Sequence, residues 1–252
     1  MPWLFLVLAF AISSVGFVAV SRIPGAQNPE SRQGLPFWLL MVWGPSLAAI
    51  VASLANGTLD DLFSRAFQVS TIPVSAWLLA FAPLGILFFL GRSGTKRCER
   101  PDVGLAASMV GVNLILGPLG EELGWRGLLQ ESLGHEIGWL KASIAVGGIW
   151  TVWHLPLWSI DSPQSRISMP VFAAHCMLYS IILGAACTLS SGSILPAISG
   201  HLAVNLAANW AVYGGYSDPN AWFSASLPLY GVLAMSSIVL VQAQSGGFGL
   251  SI

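Results

Sequence analysis

Three blocks of this sequence hold residues whose types and spacing could do chemistry. The first is Gly117-Pro118-Leu119-Gly120-Glu121-Glu122-Leu123-Gly124-Trp125-Arg126-Gly127, which places two carboxylates and a guanidinium at the end of an apolar run. Glu122 and Arg126 are four residues apart, so on a helix they share a face and can pair. Glu121 sits about 100° around the same helix. It must find another partner or have its protonation shifted by desolvation, as in a carboxylate used for general-base work. The second block, Trp150-Thr151-Val152-Trp153-His154-Leu155-Pro156, sets an imidazole just before a helix-disturbing proline. The third, Gly200-His201-Leu202-Ala203-Val204-Asn205, puts an imidazole and an amide on one helix face. A lone histidine in an apolar run is usually a packing residue, and His175 is read so; three blocks that each bring a polar group inward are not.

A carboxylate, two imidazoles and an amide can activate a water and steady an oxyanion, the minimum for amide hydrolysis. The same set resembles a His/His/Glu zinc site, although no HExxH helix is present. Serine hydrolysis is weaker, because no GxSxG occurs.

These groups need elements to hold them, and composition says which kind. The 252 residues are 55% hydrophobic and 8% charged, against about 25% charged in a soluble domain. A net charge of −1 leaves no basic surplus for nucleic acid. Eight apolar runs follow one another, at 2–20, 36–55, 73–91, 104–119, 140–160, 169–189, 194–213 and 225–241. At about 20 residues per crossing, they fill residues 1–252 as one multi-pass membrane domain, all-α, with a motif-bearing core at 104–213. Arg22, Arg32, Arg92, Lys96, Arg97, Arg100 and Arg166 fall in alternate loops, which places the 92–100 loop in the cytoplasm. Cys98, Cys176 and Cys187 form no metal or disulfide pattern. Glu131, His135 and Glu136 read as a solvated loop face. Trp3, Trp38, Trp43, Trp77, Trp139 and Trp222 read as an interfacial belt, and 244–252 as a disordered tail.

The Glu121-Glu122-x-x-x-Arg126, Trp150-x-x-x-His154 and His201-x-x-x-Asn205 motifs, in this order, resemble the CAAX prenyl protease and bacteriocin-processing family of intramembrane proteases, in its bacterial form. The likeness covers 117–209. One departure is Trp150, where the family more usually shows Phe. The resemblance implies an eight-helix fold around a polar intramembrane cavity in a bacterial or archaeal cell membrane. It implies that Glu121 activates the attacking water and that Glu122 and Arg126 orient it or hold the helix end. It also implies that His154 assists the water or binds metal, and that His201 with Asn205 forms the oxyanion site. Members are described both as metalloproteases and as metal-free, glutamate-dependent enzymes, so zinc on His154, His201 and Glu121 stays open. The implied substrate is a peptide or lipidated protein at the bilayer, of CAAX or bacteriocin type. The alternatives are a non-proteolytic immunity or scaffold protein and a proton-coupled transporter.

Unbroken spans would keep the groups apart. Glu121 would lie about 25 Å along a helix starting at Gly104, His154 about 21 Å along one from Leu140, and His201 about 10 Å along one from Ile194. The chain must therefore bend or break, and Gly117, Pro118, Gly120, Pro156 and Pro196 are where it can.

Overall fold

A computed structural model of the chain describes residues 2–29, 31–70, 72–91, 103–213, 218–244 and 246. The basic segment 92–100 with Cys98, and the tail beyond Gln244 apart from Gly246, lie outside the described residues. No strand occurs among the described residues. The helices are α1 (Pro2–Arg22), α2 (Leu35–Ala55), α3 (Leu59–Phe67), α4 (Val74–Gly91), α5 (Val103–Ile115), α6 (Pro118–Glu122), α7 (Glu131–Ile137), α8 (Trp139–His154), α9 (Met169–Leu189), α10 (Leu195–Tyr213) and α11 (Pro219–Gln244).

Six stretches among the described residues are long and apolar enough to cross a bilayer: α1, α2, α4, the composite rod Val103–Ile137, α9 and α11. The chain is a multi-pass, all-α integral membrane protein. The two remaining apolar runs became α8, which stops after 16 residues, and α10, which gives one face to His201, Asn205 and Asn209. These are the helices that carry the chemistry-bearing side chains, and both give up length or apolarity for it.

The breaks fall at some of the expected places. The rod from Val103 halts at Ile115, turns through Leu116 and Gly117, and restarts at Pro118, whose fixed φ suits a first helical turn. Gly120 stays helical. From Leu123 to Gln130 the helix widens into a π-helix, a rare form that often marks functional sites. α8 ends at His154, and Pro156 lies in a short 3₁₀ turn, Leu155–Ser159. Pro196 begins α10 rather than breaking it. Glu131, His135 and Glu136 are on α7, not in a loop, because Glu131 is paired both to Arg65 (3.3 Å) and to His135 (3.2 Å).

α1 and α2 form a closely packed hairpin, and α2 is the bed on which α6 lies. The contact is backbone to backbone: a Cβ on Gly124 would come within 2.6 Å of the Pro45 carbonyl oxygen. Ser46 Oγ donates to the Leu119 carbonyl (2.9 Å), and Trp43 Nε1 to that of Ile115 (2.9 Å). Trp43, half-buried, thus also ties α2 to the end of α5, and Trp222 is fully buried inside the bundle rather than facing its surface. α8 packs on α9, α9 on α11 and α4 on α10, which encloses the motif-bearing segment between the two halves of the bundle. α3 is short and amphipathic; Leu62 and Ala66 face inward while Arg65 donates to the Gly127 carbonyl inside the π-helix (2.9 Å).

Candidate active site

Glu121 is the last-but-one residue of α6 and is buried. Its hydrogen-bond partners among the described residues are a pair of indoles. Trp150 Nε1, reaching across from α8, donates to Oε2 at 2.6 Å, and Trp125 Nε1, one turn along, donates to the same oxygen at 3.4 Å. Two neutral donors on one oxygen fix the orientation of the carboxyl group and leave Oε1 as its other acceptor. A charge-assisted hydrogen bond of this length is among the stronger ones a protein makes.

Glu122 turns the other way and is fully buried. Arg126 NH1 lies 3.0 Å from its Oε2 and 3.1 Å from its Oε1. His201 Nδ1, from α10, lies 2.7 Å from Oε1. The guanidinium is also stacked over the Trp150 ring, 5.0 Å from its centroid. A buried carboxylate of this kind persists only when it is paired; here one cation and one imidazole face it, while Arg126 Nε and NH2 are buried with no hydrogen-bond partner among the described residues.

The two imidazoles are each held through Nδ1. His154 Nδ1 faces the Trp150 carbonyl at 2.8 Å; a carbonyl only accepts, so the ring proton is on Nδ1 and, in the neutral ring, Nε2 carries the lone pair. His201 gives its Nδ1–H to Glu122, which leaves its Nε2 directed towards Gly117, where a Cβ would lie 3.9 Å away. Both rings contact Trp150 edge to face, with centroids at 5.4 Å for His154 and 5.2 Å for His201. Asn205, half-buried one turn beyond His201, sits against Gly117: a Cβ there would be 2.7 Å from Asn205 Nδ2. This close approach is why the turn needs glycine.

The structure therefore gathers Glu121, Glu122, Arg126, His154 and His201 around one tryptophan, with Asn205 alongside. Among the described residues no three His, Cys, Asp or Glu side chains form a group that could hold a metal. Glu121 Oε2 and both Nδ1 atoms already have hydrogen-bond partners, so Glu121 Oε1 and the two Nε2 atoms are the positions left for a water or another ligand. His175 stands apart on α9, bonded to the Val171 carbonyl (3.0 Å) and Ser226 Oγ (3.2 Å) amid Tyr179, Phe223 and Tyr230, a packing role.

Sequence reasoning missed the part played by the indoles. Trp150 stood out only as an unusual aromatic four residues before His154, and Trp125 only as the neighbour of Arg126. The signal was that a tryptophan, unlike phenylalanine, carries an N–H donor that usually finds a partner when buried.

Residues 102–207, which contain all six candidate side chains, match the family model described as type II CAAX prenyl endopeptidase Rce1-like. A curated archaeal protein, CAAX prenyl protease 2 of Methanococcus maripaludis, is 34% identical over 178 residues, 64% of this chain. The aligned stretch spans 66% of that relative's length.

Proposed function

On a chain whose residues 102–207 carry a type II CAAX prenyl endopeptidase Rce1-like domain, we propose that Glu121 is the general base of an intramembrane endopeptidase. The observation that carries this is a buried carboxylate pinned through one oxygen by two indoles, beside two imidazoles each pinned through Nδ1.

A water bound between Glu121 Oε1 and His154 Nε2 gives a proton to the carboxylate as its oxygen attacks the scissile carbonyl. The developing oxyanion is received by His201 Nε2–H and the Asn205 amide. Such donors are worth roughly 10²–10³-fold each in rate when they are already in place. Glu122 supports the imidazolium form of His201 through Nδ1, as a carboxylate orients the histidine of a hydrolytic triad. Arg126 keeps Glu122 paired while it does so. Collapse of the tetrahedral intermediate breaks the C–N bond, and the proton stored on Glu121 passes to the departing amine, which balances the step. The Nδ1 and Oε2 contacts do the positioning, and no metal enters this route.

The name of the archaeal relative and the family description support a substrate with a prenylated CAAX end. The test is cleavage of a fluorogenic farnesylated CAAX peptide by the purified full chain in nanodiscs. Glu121→Gln and His154→Ala should each lower kcat at least about 100-fold, while 1,10-phenanthroline should leave the rate unchanged. Loss to the chelator with restoration by Zn²⁺ would overturn the metal-free route. A wild-type chain that binds the peptide but never cleaves it would return the protein to a scaffold role.

A further inference from the structure

The site is closed: Glu121, Glu122, Arg126, His154 and His201 are each at most 8% exposed. A peptide has to reach them, and its backbone carries an N–H and a C=O on nearly every residue that must not be stranded in lipid. A route for it therefore needs polar partners along its length. A groove of about 380 Å³ between α1 and α8 is lined by Leu6, Phe10, Ala145, Gly148, Ile149 and Val152 and provides none.

The seam between α5 and α10 does provide them. His201, Asn205 and Asn209 repeat every four residues on α10, and along that row the side chains pass from buried, through half-buried, to exposed. Across from them on α5 stands Asn113. Asn209 Nδ2 donates to Asn113 Oδ1 at 2.5 Å, and Asn113 Nδ2 donates to the Met109 carbonyl at 2.8 Å. Among the described residues the Asn205 amide has no hydrogen-bond partner, although it lies at the inner end of this row. α5 itself buries no residue, and it is attached chiefly to α6 and α10. At its inner end lie the Trp43 bond to Ile115 and the turn at Gly117.

We infer that the α5–α10 seam is the binding track for the substrate's extended peptide backbone, with Asn209 and Asn113 as its outer subsite, leading inward to the Asn205–His201 pair. This rests on the peptidase reading above. Each asparagine amide carries one donor pair and one acceptor, the complement of one peptide group. Four residues of α10 advance about 6 Å, and same-facing peptide groups of an extended chain recur about every 6.6 Å, so the two repeats run nearly in step. A strand laid along α10 would exchange the Asn209–Asn113 bond for bonds to itself and bring its next same-facing carbonyl to Asn205 and His201, where the oxyanion forms. α5 swings away from α10 about the Leu116–Gly117 turn to admit it.

The experiment uses the full chain with Glu121→Gln, so that the probe is bound and not consumed. The probe is a fluorescein-labelled farnesylated CAAX peptide in nanodiscs. Benzophenone-alanine placed at position 209 should capture at least about tenfold more probe on irradiation than the same group at Met235, an exposed position on α11. Equal capture at the two positions, or none at 209, overturns the proposal. A second arm joins the helices: Asn113→Cys with Asn209→Cys, in a chain whose Cys98, Cys176 and Cys187 are replaced by alanine. Oxidation should lower capture at least about tenfold, by a benzophenone moved to position 112, and dithiothreitol should restore it. A locked seam that captures probe as well as the reduced one overturns the proposal. Capture at 209 by a chain whose wild-type form cleaves nothing upholds the track and overturns the peptidase reading instead.

Discussion

Replacing Trp150 with phenylalanine keeps an aromatic ring under Arg126 and against both imidazoles, and removes the N–H that holds Glu121. The lost bond is 2.6 Å long and ends on a buried carboxylate oxygen. Hydrogen bonds to charged groups are worth about 1.5–3 kcal/mol, which corresponds to roughly 10- to 150-fold in rate if the bond is fully used in the transition state. The second indole cannot replace it without movement, since Trp125 is already at 3.4 Å and is wedged against Phe5 and Trp153 with centroids at 5.6 and 6.0 Å. Trp150→Phe should therefore lower kcat about 10- to 100-fold on the fluorogenic peptide and leave KM within about twofold, because the bond orients the base and does not touch the substrate. In a Glu121→Gln background the same change should cost nothing further, because the base it orients is already gone. A single mutant whose kcat stays within about threefold of wild type, beside an inactive Glu121→Gln, would refute the orienting role.

Three further expectations rest on separate contacts. Arg126→Ala strips Glu122 of its cation and leaves only His201 beside a fully buried carboxylate; breaking such a pair costs about 3–5 kcal/mol, to be read as a lowered unfolding midpoint in detergent. Gly117→Ala puts a methyl 2.7 Å from Asn205 Nδ2 and 2.9 Å from the Asn113 carbonyl oxygen, an overpacking of about 1–3 kcal/mol. Because the methyl displaces Asn205, the peptidase assay should show kcat falling at least about tenfold. His175→Gln lies outside the site; cleavage should stay within about twofold, while loss of its contacts to Ser226 and the surrounding rings lowers thermal stability by about 1–2 kcal/mol.

The scarcity of charge made much of this protein legible from residues alone. In a chain where 8% of residues are charged, an insertion cost of about 2.5–3.5 kcal/mol per buried charge means that Glu121, Glu122 and Arg126 stand out against their surroundings. Helical periodicity was enough to pair Glu122 with Arg126, because partners four apart on one helix need no other element to meet. It was also enough to place His201 and Asn205 on one face. The apolar runs showed a membrane bundle, since a spanning segment must satisfy its own backbone and only a helix does so alone.

What periodicity could not show was which helix faces which. Glu121 and Trp150 are 29 residues apart, and Glu122 and His201 are 79 apart; no local rule links them. Those contacts exist because the rod from Val103 breaks at Leu116–Gly117 and then widens into a π-helix, while Gly120 and Gly124 let α6 settle onto the α2 backbone. Two histidines and a glutamate look alike in sequence whether their lone pairs converge or not, and only the packed bundle commits Glu121 to two indoles and each imidazole to its own acceptor. Residue type and spacing thus determined the chemistry on offer and the solvent it sits in. The tertiary structure decided which atoms remain free to perform it, because that depends on the partners brought from distant helices.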